Sequence, residues 1–243
     1  MGSSPDSDAV AEFRAARSTV LSHIAEACER AGRDPGEVTL LAVSKTVAAP
    51  RLRAAVAAGL TLLGENRVQE AESKAPELPG AHWHLIGPLQ SNKARRAVEV
   101  FDVIESVDSI ELARRLDRLA GELGRAPLGV YLQVNVDLDD AKAGFMPDRL
   151  EAELLEIVGL PNLRLVGLMT VGRLAGAAEE ARPTFVRLRQ LSERLRTRVD
   201  GLGAGLSMGM SDDYAVAVEE GATVIRVGRA LFGARIGGVA RPT

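Results

Sequence analysis

The spacing of apolar residues predicts a long helix near the start of the chain. Between Ala9 and Ala31, apolar side chains recur at helical intervals and form one stripe, and Gly32 ends the pattern. The stripe consists of Val10, Phe13, Ala16, Val20, Ile24 and Ala27. A helix with one apolar face packs that face against the rest of the domain.

After Gly32, short apolar runs alternate with helical segments. The runs are apolar on both faces, which is typical of parallel strands that helices cover. The predicted strands are 38–43, 60–64, 82–86, 103–105, 128–136, 163–169, 205–208 and 223–226. The predicted helices between them are 50–58, 69–75, 90–98, 109–123, 147–158, 177–199 and 212–220. Ser109 begins one of these helices and Ser211 directly precedes another, and both serines are expected to cap the first turn.

Eight strands, the helices between them and an extra N-terminal helix predict an α/β fold, a (β/α)8 or TIM barrel. A doubly wound open sheet is the alternative. It would normally carry a glycine-rich turn after its first strand, whereas this strand ends in Ser44, Lys45 and Thr46. No linker-like composition divides the chain, so we expect one domain over 1–243, with 1–8 disordered and 172–178 a loop.

The composition of the chain limits the classes of partner and the cellular settings that we expect. The chain of 243 residues has a formal net charge of −3 and 3% aromatic residues, which disfavours nucleic acid as a partner. Its one cysteine, Cys28, allows no internal disulfide and suits a reducing cytosol. No apolar run reaches the roughly 20 residues of a membrane span, and the polar N-terminus is unlike a signal peptide. We therefore expect a cytoplasmic protein that does not insert into membranes.

Lys45, at the end of the first predicted strand, is the main candidate for chemistry. Only four of the 30 basic residues are lysines, so arginine is the usual surface cation of this chain. An amine can lose its proton and attack a carbonyl, whereas a guanidinium cannot. The competing interpretation is a strand-end lysine that extends its ammonium group into water.

The ends of strands 7 and 8 are a frequent phosphate site in TIM barrels, and Ser211 and Gly228 follow them here. An amine together with a phosphate site suits a phosphorylated aldehyde, and pyridoxal 5′-phosphate (PLP) is the common cofactor of that kind. Arg226, predicted to point inward, would face the ring nitrogen and keep it neutral. The competing interpretations are a helix cap for Ser211, a turn for Gly228 and a barrel-mouth ion pair for Arg226.

Several motifs in order then carry a family resemblance. They are Leu41 to Thr46, Gly64 to Asn66, Val68 to Glu70, His84 to Gly87, Leu89 to Lys93, Lys142 to Gly144, Gly167 to Thr170, Leu206 to Asp212, Arg226 to Gly228, and Leu231 to Gly233. The chain resembles the pyridoxal phosphate homeostasis proteins. This resemblance implies the barrel of alanine racemase-like proteins, the N-terminal domain of those enzymes, standing alone.

The resemblance also implies roles for six residues. Lys45 would hold PLP as a Schiff base, Arg226 would face the ring nitrogen, and Asn66 would line the pocket. Ser211 and the backbone around Gly228 and Arg229 would bind phosphate. At the position of Arg229, the family usually carries a small residue with a hydroxyl group. The arginine of this chain therefore removes a side-chain hydroxyl contact to the phosphate and leaves the contact from the backbone N–H.

The same comparison favours a carrier over an enzyme. The related racemase uses a second base, a tyrosine from another domain, and we expect Tyr131 and Tyr214 to serve only packing. No catalytic residue is therefore assigned, and we expect PLP homeostasis and carriage without turnover, with PLP-dependent apoenzymes as acceptors and a monomeric state. The alternatives are a racemase-like enzyme and a Schiff-base aldolase. Metal binding by His82 and His84 is disfavoured, because they precede the end of strand 3 at which such barrels bind ligands.

Overall fold

The structure, a computed structural model, describes residues 6–172 and 177–233. Eight parallel strands close into a barrel in the order of the sequence. The strands are β1 (Thr39–Val43), β2 (Leu62–Glu65), β3 (His82–Leu85), β4 (Val103–Val107), β5 (Leu128–Gln133), β6 (Leu163–Met169), β7 (Gly205–Met210) and β8 (Val224–Val227). β1 pairs with both β2 and β8, which closes the barrel and confirms the predicted TIM fold.

Helices cover the outside of the barrel. They are α1 (Ser7–Ala31), α2 (Ala49–Ala57), α3 (Val68–Lys74), α4 (Ala94–Val100), α5 (Ile110–Glu122), α6 (Pro147–Val158), α7 (Arg182–Arg196), α8 (Tyr214–Glu219) and α9 (Arg229–Phe232). Short 3-10 turns at Ser91–Lys93 and Ala178–Ala181 begin the segments in which continuous helices were predicted. The short α9 was not predicted. No helix in the two described ranges is long and apolar enough to cross a membrane.

The N-terminal helix starts earlier than the sequence pattern indicates. The Asp6 carboxylate accepts the backbone N–H of Asp8, so α1 begins at Ser7, and Gly32 ends it in the left-handed conformation with φ 64°. Residues 6–8, which fall in the segment expected to be disordered, form the cap and the start of α1, while residues 1–5 lie outside the described ranges. Most of the predicted 172–178 loop, residues 173–176, also lies outside them.

Helix α1 packs against the side of the barrel where the first strand, β1, pairs with the last strand, β8. Its buried stripe includes Phe13, Val20, Ile24 and Ala27, as predicted, and it contacts α2, α8 and α9. Phe13 meets Phe232 of α9 edge-on, with 5.5 Å between ring centroids. The helix thus connects the helices that follow β1, β7 and β8, and Cys28 is buried in it.

The floor of the barrel interior is a separate apolar layer formed by Leu41, Tyr131, Met169 and Val224. Glycines on β6 and β7 make room for this layer. An added Cβ at Gly167 would lie 1.9 Å from the carbonyl oxygen of Gly205, and one at Gly205 would lie 2.9 Å from the ring of Tyr131. The Tyr131 ring therefore fills space that a side chain at Gly205 would otherwise occupy, and Gly167 lets the backbones of β6 and β7 approach closely.

Replacing Gly167 by Ala is expected to destabilise the barrel, since the new methyl group would meet backbone rather than a movable side chain. We expect a loss of about 1–3 kcal/mol or more in the free energy of unfolding, measured by urea denaturation. Gly172→Ala is the control, because its Cβ would contact only the Phe185 ring, at 3.8 Å. Equal stability of the two variants would contradict this account of the floor.

Candidate cofactor site

A cavity of about 570 Å³ opens at the carboxyl ends of the strands, and its wall contains all six predicted site residues. These are Lys45, Asn66, Ser211, Arg226, Gly228 and Arg229. They come from the ends of three strands, β1, β2 and β8, and from the loop after β7. Parallel strands bring their carboxyl ends to one rim, so residues up to 184 positions apart (45 to 229) meet there.

The backbone on both sides of Lys45 is held in place. Thr46 has a left-handed backbone with φ 67°, which costs a non-glycine residue about 1–2 kcal/mol. Its N–H donates to Oε2 of Glu70 at 3.1 Å. On the other side, the carbonyl of Ser44 accepts from Nζ of Lys74 at 3.1 Å. These contacts set the path of the chain at the residue that carries the amine.

The contacts to Ser44 belong to a buried network around Glu65. Oε1 of Glu65 accepts from Nζ of Lys74 at 2.7 Å and from the Ser44 hydroxyl at 2.7 Å. Its Oε2 is buried and has no hydrogen-bond partner within the described part of the chain. Burial raises the pKa of Glu65, and the hydrogen bonds from Lys74 and Ser44 oppose that shift. The network is a support for the Lys45 segment.

Arg226 points into the barrel, as predicted, and only 4% of it is exposed. Its guanidinium donates to the Ser207 hydroxyl at 2.7 Å and to the carbonyl of Thr170 at 2.7 Å. The Ser207 hydroxyl in turn donates to Oε2 of Glu105 at 2.6 Å, and His84 Nδ1 lies 2.6 Å from Oε1 of Glu105. A chain of hydrogen bonds therefore fixes the guanidinium under the cavity.

Glu105 compensates the charge of Arg226 in the interior. Burial would raise the pKa of Glu105, but the hydrogen bond with His84 and the charges of His84 and Arg226 outweigh it, so its pKa lies below the usual value. Burial lowers the pKa of Arg226, and the negative charge of Glu105 opposes this effect. The ion pair considered as the competing interpretation of Arg226 thus exists in an indirect form, through the hydroxyl of Ser207.

The predicted helix cap at Ser211 is wrong. Helix α8 begins after Asp213, whose carboxylate accepts the N–H of Met210 at 2.6 Å. The Ser211 hydroxyl instead accepts the N–H of Gly228 at 3.2 Å and joins the loops after β7 and β8. Ser109, the other predicted cap, does accept the N–H of Leu112 at 3.3 Å, so that prediction is confirmed.

Gly228 and Arg229 follow Ser211 in the wall of the cavity. Gly228 has φ −115°, and an added Cβ would come no closer than 3.5 Å to Val43, so neither backbone strain nor internal packing requires a glycine. The Arg229 side chain forms an ion pair with Asp212 across the two loops. The wall therefore offers a hydroxyl, a backbone turn without a side chain and a cation already paired with an acid.

The remaining polar aromatic residues lie away from the cavity. Tyr214 bonds to Nδ1 of His23 at 2.8 Å between α1 and α8, and Tyr131 lies in the floor, where burial raises its pKa. No tyrosine of the described ranges lines the cavity. His82 lies near Asp102 at the start of β3, while His84 is bound to Glu105. Among the described residues, no group of three or more metal-binding side chains occurs.

Comparison with known proteins identifies the family. The family model described as alanine racemase, N-terminal domain, matches residues 17–236. The chain belongs to this family. A pyridoxal phosphate homeostasis protein of Pseudomonas aeruginosa is 47% identical over 218 residues, which cover 89% of this chain and 93% of the relative. One of the same name from Escherichia coli K12 is 40% identical over 225 residues, covering 89% and 94%. The resemblance drawn from the motifs is confirmed.

Solved structures place the barrel among the same proteins. PipY of Synechococcus elongatus, solved with PLP bound, matches with a TM-score of 0.77 and 47% identity, over 86% of this chain and all of PipY. An alanine racemase of Clostridium difficile matches with a TM-score of 0.68 but 15% identity, over 90% of this chain and 57% of the enzyme. The second match concerns the fold alone.

The hydrogen-bond network around Glu65, which supports the Lys45 segment, leads to a prediction about stability. Lys74→Met leaves the Glu65 carboxylate buried without its cation, so we expect a loss of about 3–5 kcal/mol in the free energy of unfolding at neutral pH. The loss should shrink as the pH falls, because Glu65, whose pKa is raised in the fold, takes up a proton more readily when folded than when unfolded.

The double variant Glu65→Gln/Lys74→Met is the matched control, since it removes the pair together and leaves no buried charge. We expect it to recover most of the lost stability in urea unfolding at neutral pH. A double variant as unstable as Lys74→Met alone would show that charge compensation is not what Lys74 contributes.

Proposed function

We propose that the chain binds PLP in the cavity, with the amine of Lys45 joined to the cofactor aldehyde as a Schiff base. The supporting observation is that one cavity contains a lysine amine, a buried guanidinium and the Ser211–Gly228 turn. Its volume of about 570 Å³ is within the usual range of small-molecule sites. When bound, the cofactor supplies an electrophilic aldehyde and a ring that can withdraw electrons.

Each site residue has a defined task in this proposal. The Ser211 hydroxyl and the backbone N–H groups near Gly228 bind the phosphate, and Arg229 adds positive charge although its side chain is shared with Asp212. Asn66 lines the wall. Arg226 faces the ring nitrogen, and because a guanidinium has no acceptor, it cannot take up a proton from that ring. Glu105, through Ser207, helps to hold Arg226 as a cation in a buried position.

We further propose that the protein carries PLP rather than catalysing a reaction on it. An arginine at the ring nitrogen leaves that nitrogen neutral and the ring a weaker electron sink. Racemisation needs bases on both faces of the substrate carbon, and the two tyrosines lie in the floor and on the outside of the barrel. The curated relatives are named for pyridoxal phosphate homeostasis. The proposed setting is the cytoplasm, with the chain acting as one domain and a monomer, and with PLP-dependent apoenzymes as acceptors.

Borohydride trapping tests the Schiff base. Reduction of PLP-loaded protein should fix the cofactor on Lys45 and remove its visible absorption band, and peptide mass spectrometry then identifies the modified residue. The other lysines of the chain, Lys74, Lys93 and Lys142, are internal controls. Lys45→Ala should lose the band. Label on another lysine, or an unchanged band in Lys45→Ala, would overturn the proposal.

Transfer tests the carrier role. Loaded protein mixed with a PLP-dependent apoenzyme should lose its absorption band as the acceptor gains activity, while the borohydride-reduced protein should transfer nothing. Chiral chromatography with amino acids and an aldol-cleavage assay should find no turnover. Sustained racemisation or aldol cleavage that disappears in Lys45→Ala would instead establish one of the two enzymatic alternatives.

A further inference from the structure

A second cavity of about 470 Å³ adjoins the first at the same rim of the barrel. Asn66 lines both cavities, so the two share a wall. The second cavity lies between the loops that follow β2 and β3. We propose that it binds a small oxyanion-bearing molecule next to the Lys45 cavity, with Arg67 and Lys93 as the cationic contacts.

The charge of the lining supports an anionic ligand. Arg67 and Lys93 both line the cavity, and no carboxylate does so among the described residues. The acids on either side of Arg67 in the sequence have other partners: Glu65 pairs with Lys74, Glu70 accepts from Thr46 and lies near Lys74, and Glu72 pairs with Arg96. Within the described ranges, neither Arg67 nor Lys93 has an ion pair or a hydrogen bond from its side chain. Two cations therefore face one space without compensation, in a chain whose net charge is −3.

The walls of this cavity are held at a fixed separation. An added Cβ at Gly87 would lie 2.4 Å from the carbonyl oxygen of Asn66, so the loops after β2 and β3 touch through their backbones. The carbonyl of Gly87 also accepts from the buried hydroxyl of Ser106 at 2.6 Å. The two cations thus extend from loops that already contact each other. Binding a ligand would not have to order these loops, which lowers the entropic cost of binding.

The lining also limits the kind of ligand. A guanidinium and an ammonium together bind carboxylate or phosphate oxygens. Gln69 and Gln90 add amide groups, and Val68 and Leu89 provide an apolar surface. This combination suits a small organic acid or phosphate ester. Because Asn66 is shared, an occupant would lie beside the cofactor, and this last step rests on the proposed function.

Anion titration of protein whose Lys45 has been blocked tests the second cavity. After PLP is reduced onto Lys45, succinate and inorganic phosphate are titrated separately by isothermal calorimetry, so that the two arms distinguish carboxylate from phosphate ligands. We expect saturable binding of at least one anion. The double variant Arg67→Ala/Lys93→Ala should bind it at least about tenfold more weakly, since each charge-assisted hydrogen bond contributes about that factor.

Arg95→Ala is the matched control, because Arg95 is an exposed cation on the same segment that pairs with Glu122 and does not line the cavity. Its affinity for the anion should be unchanged, and circular dichroism should show all variants folded. Absence of saturable binding, or equal affinity in the double variant, would overturn the inference. If Lys45 takes no cofactor, the proposed function fails separately, and the same titration on the unmodified chain still decides the second cavity.

Discussion

The site depends on the buried carboxylate of Glu105, which lies inside the barrel and compensates the charge of Arg226. Arg226 lies almost fully out of water, where an uncompensated cation is costly. Glu105 provides the opposite charge, and Ser207 provides the hydroxyl that joins them. The guanidinium, which extends from β8, also donates to the carbonyl of Thr170, the residue after β6. Its direction is therefore set from β7 and the end of β6, with Glu105 of β4 behind Ser207.

A second polar network supports the rim from another direction. The group formed by Ser44, Glu65, Lys74 and Glu70 holds the backbone on both sides of Lys45, including the left-handed Thr46. The two networks act on different parts of the site: one fixes a cation beneath the cavity, and the other fixes the main chain from which the amine extends. Contacts within the protein thus hold both parts of the candidate cofactor site in position.

The strands of the barrel and the position of its site could be predicted from the sequence, whereas the individual polar contacts could not. Apolar periodicity located all eight strands, and strand ends in a parallel barrel converge, so Lys45, Ser211 and Arg226 could be expected at one rim. The role of Lys74 was missed, because it lies on α3 and its partner Glu65 lies at the end of β2, and neither residue alone indicates burial. Ser211 was misassigned as a cap since the competing donor, Gly228, is 17 residues away and directly follows another strand, β8.

The glycines of the barrel divide the chain into regions with different tolerance for mutation. At Gly167, Gly203 and Gly205 an added Cβ would lie within 2.7 Å of a backbone oxygen, so the floor admits no side chain there. At Gly172 and Gly228, near the mouth, an added Cβ would make only ordinary contacts. A side chain is therefore sterically tolerated at these two positions, whereas Gly87 at the same rim and the three glycines at the base keep neighbouring strands and loops in contact.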